Sequence, residues 1–350
     1  MILIKIKKYV ILSAKEVISV STSKRIEKWD ILKFILIFFV VMGHLIDNIY
    51  DKTDWMKSMF LFIYTFHMPV FIFISGLFGK KTVNEKKYDK IIGYLFMYYI
   101  AKIVIFLGRL IAYGKLSFSA FEEGGLPWYM FAMFIFPLVT IAVRNISPRY
   151  VFIFFIVLAC FVGYDSELDD LLSLPRLFVF YPFYYAGYCL EPNRVVEFLD
   201  KKYLKIISVA VIAVLALILF LRVDSCYWLR PLITGRHPYS KLGNNADFGA
   251  LYRLAYYVVV FIVGAAVICI TPNRIGSGKI ARLGSRSLQV YVLHYFIIYV
   301  YAGFVGTNLF PNHPSVVIIG LSVIITLLCS FGFWEPLFNK ILNPQIRKTE

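Results

Sequence analysis

WDILKFILIFFVVMGHLIDNI, residues 29–49, decides how the chain is read. It is an apolar run long enough to cross a bilayer as a helix, yet it carries Asp30, Lys33, His44 and Asp47. At about 100° per residue, Lys33 and His44 fall about 20° apart, with Asp30 about 60° to one side of Lys33 and Asp47 about 40° to the other. All four polar side chains therefore share one narrow face. Ionisable groups at membrane depth are costly, so they face a bundle interior or a water-filled cavity. The rest of the chain reads as scaffold and partners for that face.

Working outward, the 350 residues are 60% apolar, with a mean hydropathy of +0.73. A soluble domain sits nearer 45–50% apolar, and here apolar runs of spanning length recur. They occupy roughly 31–50, 59–79, 90–113, 127–143, 150–164, 174–190, 204–222, 250–271, 284–305 and 315–334. The expected fold is all-α and polytopic, with about ten transmembrane helices. The net charge of +16 suggests nucleic acid, but its distribution argues otherwise. With the N-terminus cytoplasmic, 25 of the 37 Lys and Arg fall in the N-terminal tail, the even-numbered connections and the C-terminal tail, and eight in the odd-numbered ones. This is the positive-inside bias. An even span count returns the C-terminus to the cytoplasm. The expected organisation is a basic cytoplasmic tail (1–28), a membrane domain (29–336) and a second basic cytoplasmic tail (337–350). The first tail lacks the apolar stretch and cleavage site of a signal peptide. The five Cys form neither a disulfide framework nor a metal-ligand spacing.

The first span rises outward, which puts Lys33 near its cytoplasmic end and His44 about 16 Å further along the axis. His67, in the descending second span, then lies at a depth similar to His44, and Ser75-Gly76 below it permits close helix approach. Glu122, Glu123, Trp128 and Tyr129 gather at the outer interface, where an aromatic belt alone would explain the two rings. Arg176 opens the sixth span, either snorkelling to headgroups or pointing inward to an anionic or hydroxyl-rich ligand. The longest connection, Arg222 to Arg253, is extracytoplasmic by the charge argument yet holds five bases. It is either a lid or binding surface for a polar polymer, or a solvated loop. In the ninth span Ser287, Tyr291 and His294 follow i, i+4, i+7, one helix face.

Histidine suits proton transfer near neutral pH, and spans hold His44, His67 and His294. A metal site lacks a supporting motif. A Ser-His-Asp hydrolase lacks the G-x-S-x-G elbow, and Ser75 sits about two turns from His67. A carrier or flippase for an envelope precursor could use the same polar face as a relay, although matched broken helices are not visible in the two halves. Group transfer from an activated donor to a hydroxyl needs a base and a group that steadies developing charge. The face holding His44 and Lys33 supplies both.

The segments RIEKWDILKFILIFFVVMGH (25–44), FHMPVFIFISGLF (66–78), LPWYMFAMF (126–134), RLFVFYPFYYAGYCL (176–190) and IARLGSRSLQVYVLH (280–294) follow one another in an order and spacing that resembles the acyltransferase-3 family of integral membrane acyltransferases, in its fucose 4-O-acetylase-like branch. The resemblance implies ten membrane helices and transfer of an acyl group, usually acetyl from acetyl-CoA, to a cell-surface glycan or glycolipid. It also implies an essential His44. The family commonly has arginine where this chain has Lys33, which keeps the charge and loses the bidentate fork. Many members add an extracytoplasmic hydrolase-like domain. This chain ends before one, so transfer is expected to be completed by the membrane domain or a separate partner. The expectation is a bacterial cell-membrane O-acetyltransferase acting on a surface polysaccharide or its lipid-linked precursor. His44 would be general base or transient acyl carrier, Lys33 would neutralise donor or oxyanion charge, and Asp30 would orient Lys33. His67, Arg176, His294, Tyr291, Glu123 and Trp128 are the candidates for binding substrate. No metal and no nucleic acid are expected; acetyl-CoA, the saccharide acceptor and membrane lipids are the partners.

Overall fold

A computed structural model describes residues 26–49, 52–114, 116, 118–119, 127–167, 172–305 and 314–344, which contain helices and no strand. Residues 1–25 of the first expected tail and 345–350 of the second, and Glu122 and Glu123, lie outside the described residues. The protein is an all-α polytopic membrane protein. Among the described residues, ten helices of 14 residues or more follow in the order of the ten apolar runs: α1 (Glu27–Asp47), α2 (Asp54–Asn84), α3 (Tyr88–Tyr113), α4 (Trp128–Val143), α5 (Pro148–Phe161), α6 (Leu174–Cys189), α7 (Lys202–Leu221), α8 (Gly249–Ile270), α9 (Ser287–Val305) and α10 (Pro314–Cys329). Seven stretches of the described residues are long and apolar enough to cross a membrane; α4 and α5 are shorter apolar helices.

The helices form because long apolar runs leave no other way to satisfy backbone polar groups away from water. Local chemistry sets their ends, as where the Thr53 side chain caps α2 by accepting from the Met56 N–H at 3.4 Å. The two N-terminal helices form the centre. In α2, 78% of the apolar window is buried inside the protein, and in α1 67%. The figure for α7 is 11%, with Ile206 and Leu221 more than 60% exposed. An apolar helix with so little protein cover faces lipid.

Lipid tails are as apolar as leucine, so shape decides how such helices associate. The α2–α6 crossing shows this. A Cβ on Gly76 would overlap the backbone carbonyl of Tyr184, and one on Gly187 would overlap that of Phe73. Each glycine admits the other helix's backbone. At the start of α1, Gly284 meets the Asp30 carbonyl in the same way, and buried Lys28 donates to the Thr271 carbonyl at 2.7 Å. These contacts anchor the helix that carries Lys33 and His44.

The 222–253 connection is not a solvated loop. It folds as short helices, including Val223–Cys226 and Arg230–Thr234, over one end of the bundle. Leu232, Ile233, Tyr239 and Leu242 are buried. Arg253, 1% exposed, donates to the Leu232 carbonyl at 2.6 Å, and the Tyr239 hydroxyl donates to the Cys160 carbonyl at 2.9 Å. Buried polar groups need such partners, and these two clamp the connection down.

Candidate active site

Under that connection lies a cleft. It is walled by His44 and Asp47 from α1, Tyr64, His67 and Met68 from α2, Trp128 from α4, Arg176 and Phe180 from α6, and Tyr291 and Tyr295 from α9. The connection adds Arg230, Ile233, Thr234, Arg236 and His237. Histidines 44 and 67 thus meet one cavity, at the similar depth that their positions on antiparallel helices require.

His44 reaches the wall by its place near the end of α1, with its Nδ1 2.9 Å from Nε2 of His294. The ring of Tyr295 packs edge-on against it at 4.7 Å. His67 Nδ1 donates to the Ile63 carbonyl at 2.7 Å, one turn back on its own helix, and the Tyr64 ring lies 4.7 Å from it. Arg176, 9% exposed, donates from Nε to the Thr234 carbonyl at 3.4 Å. Its guanidinium lies 5.0 Å over the Trp128 ring, which in turn stacks on Phe180. Arginine is suited to this arrangement, because its flat, weakly hydrated cation can be buried against an aromatic face and still donate. Arg176 points inward, not to headgroups.

At the mouth, Arg230 pairs with Asp47 at 2.8 Å, tying the connection to the end of α1. Burial works against the Arg230 charge, but the hydrogen bond and attraction of Asp47 outweigh it and raise its pKa above the usual arginine value.

Lys33 does not belong to this cleft. It lines a second cavity with Ser75, Thr82, Lys90, Tyr94 and Tyr184 among others. Its ammonium pairs with Asp30 at 2.6 Å, as expected for i, i+3 neighbours. The polar face of α1 is thus divided along its length, with Lys33 and His44 separated by about 16 Å of helix axis. Between the cavities, Ser75 and Tyr129 share a 2.7 Å hydrogen bond, and Tyr129 packs against Tyr291 at 5.1 Å. Ser75 faces the Lys33 cavity and Tyr291 the His44 cleft.

Of the residues the sequence singled out, His44, His67, Arg176, Tyr291 and Trp128 line one cleft. His294 lies behind His44, fully buried. Lys33 and Asp30 sit with the other cavity, and Glu123 is outside the described residues. Residues that sequence reasoning did not place at the site include Tyr64 and Tyr295, whereas Arg230, Arg236 and His237 belong to the connection for which a binding surface was one of two readings. Tyr64 had a usable signal, three residues before His67 on the same helix face. Among the described residues, no group of three or more His, Cys, Asp or Glu is arranged to hold a metal ion.

The comparisons with known proteins come to bear on this geometry. A family model described as an acyltransferase domain matches residues 26–335. Two curated relatives are nodulation protein NolL of Mesorhizobium japonicum, 29% identical over 183 residues that are 48% of each chain, and nodulation protein NolL of Sinorhizobium fredii, 38% identical over 78 residues that are 21% of each chain. The chain thus spans about half the length of the first and about a fifth of the second. No solved structure matches.

Proposed function

The chain belongs to the integral-membrane acyltransferase family whose domain spans residues 26–335, and from that premise we propose that it is an O-acetyltransferase of the bacterial cell membrane, moving acetyl from acetyl-CoA to a hydroxyl of a surface polysaccharide or its lipid-linked precursor. The observation that carries this reading is the division of α1 between two cavities, a basic one at Lys33 and a histidine-lined one at His44.

A small activated acyl donor would not need two cavities about 16 Å apart. A thioester on a long arm with phosphates at its far end would. Lys33 and Lys90 meet the phosphates as point charges, and the acyl carbon reaches His44. Lys33 is too far from His44 to steady an oxyanion formed there. Arg176, a buried cation in the same cleft, takes that role, since a charge fixed in a water-poor site acts strongly on developing negative charge. His44 removes the acceptor hydroxyl's proton. His67 and Tyr291 meet the saccharide, while the Trp128 indole, packed against both Arg176 and Phe180, holds the cation beside it. The Ser75–Tyr129 contact is the partition that the arm passes.

The direct test is NMR of surface glycans from a deletion strain and its parent. Loss of one O-acetyl resonance is expected, and it identifies both reaction and acceptor position. Identical spectra would reject the reading.

A further inference from the structure

The contact between His44 and His294 fixes which nitrogen of His44 is available for chemistry. Nδ1 of His294 lies 2.7 Å from the carbonyl oxygen of Val290, one turn back on α9. A carbonyl only accepts, so Nδ1 of His294 carries the proton, and a neutral imidazole then has an acceptor at Nε2. That acceptor lies 2.9 Å from Nδ1 of His44. Nδ1 of His44 therefore donates, and the lone pair of His44 resides on Nε2.

The ring geometry supports a directed bond. The two planes are 7° from parallel with centroids 5.2 Å apart. A face-to-face stack would not leave 2.9 Å between two facing nitrogens at that centroid separation. Nitrogens lying on the line between ring centres do, so the rings meet edge to edge in nearly one plane, the orientation in which an N–H points at a ring lone pair. His294 is fully buried and contributes nothing to the cleft wall, whereas His44 lines it.

We propose that His294 is a positioning residue that locks His44 in the Nδ1–H tautomer and presents its Nε2 lone pair to the acceptor hydroxyl. This rests on His44 being the base. In the reaction, Nε2 of His44 takes the hydroxyl proton as the acceptor oxygen bonds to the thioester carbonyl carbon. The carbon–sulfur bond breaks, and Nε2 returns the proton to the leaving thiolate. The charge on His44 meanwhile is shared across its Nδ1–H bond to His294. It goes no further, because the Val290 carbonyl cannot take a proton. The pair is therefore a closed device that resets after each turnover, not a conducting wire. His67 has the same Nδ1 bond to a carbonyl but no second imidazole between.

The test uses the full chain in nanodiscs with ¹⁵N-labelled histidine, since the chain holds five, and a His44→Ala variant to assign the His44 signals. Unmodified protein is expected to show His44 protonated at Nδ1 and bare at Nε2. His294→Phe is expected to release His44 to a mixture of tautomers. With acetyl-CoA and the cell's own surface glycan, His294→Phe should lower kcat about 100-fold or more while both KM values stay within about threefold. His294→Gln, whose amide oxygen can accept the same hydrogen bond, should recover at least about tenfold of that loss at equal thermal stability. An unchanged kcat in His294→Phe, an unchanged His44 tautomer, a raised acceptor KM alone, or no recovery in His294→Gln would each overturn the positioning role. If His44→Ala itself stays active, the base assignment falls and takes this proposal with it. If His44→Ala is inactive while His294→Phe is not impaired, only the positioning role falls.

Discussion

His44 finds its hydrogen-bond partner 250 residues along the chain. No periodicity within one helix reports a contact of that kind, and the sequence placed both histidines within spans without joining them. What could be read was local: the polar face of α1 and the depth of His67. The axial distance of about 16 Å between Lys33 and His44 could be read as well; what could not was that each lines a separate cavity, because residues from other helices wall both. The Asp47–Arg230 pair joins residues that were each visible and never linked. Both are about a third exposed, so the pair should add only about 0–1 kcal/mol to stability. Its expected effect is on the cleft. Asp47→Asn and Arg230→Ala should each raise the acceptor KM several-fold with the melting temperature nearly unchanged, and the double variant should be no worse than either single one. A double-mutant cycle on KM measures this; additive losses would mean that the two residues act separately.

Among the elements, each of the ten apolar runs holds a helix among the described residues, because apolar length is a strong and local signal. Ser75-Gly76 was read as a place for close approach, and the α2–α6 crossing passes through Gly76. Its counterpart Gly187 was not singled out, since one glycine in a tyrosine-rich helix carries no mark of what it faces. Adding a side chain there forces two backbones apart, so Gly76→Val and Gly187→Val should each cost about 1–3 kcal/mol or more. The melting temperature in detergent should drop clearly for both. Gly320→Ala, where a Cβ meets nothing within 4 Å, should leave it unchanged and serves as the control. The 222–253 connection left two readings open in the sequence. The structure favours the one in which it covers the cleft, through Arg253, Tyr239 and a small apolar core of its own. Short 3₁₀ and α turns, which make up much of it, have no periodicity long enough to read.

For the whole molecule, the orientation we propose from the charge bias along the chain would open the His44 cleft outward and the Lys33 cavity inward. Exposed Lys241 and Lys202 test it: Lys241→Cys should react with an impermeant thiol reagent on intact cells, and Lys202→Cys only after permeabilisation. The two-cavity division predicts a second separation. Lys33→Ala should raise the KM for acetyl-CoA about tenfold and leave the acceptor KM unchanged, which steady-state kinetics with each substrate varied in turn will resolve. A carrier or flippase would instead move the precursor across liposomes with no consumption of acetyl-CoA. The central claim is that His44 performs acyl transfer. It is tested most directly by the O-acetyl content of surface glycans, measured by NMR in a strain whose only copy is His44→Ala at the normal protein level. Removing the base should lower transfer by about 10²–10⁴-fold, so the O-acetyl signal should vanish; a signal equal to that of the parent would contradict the account.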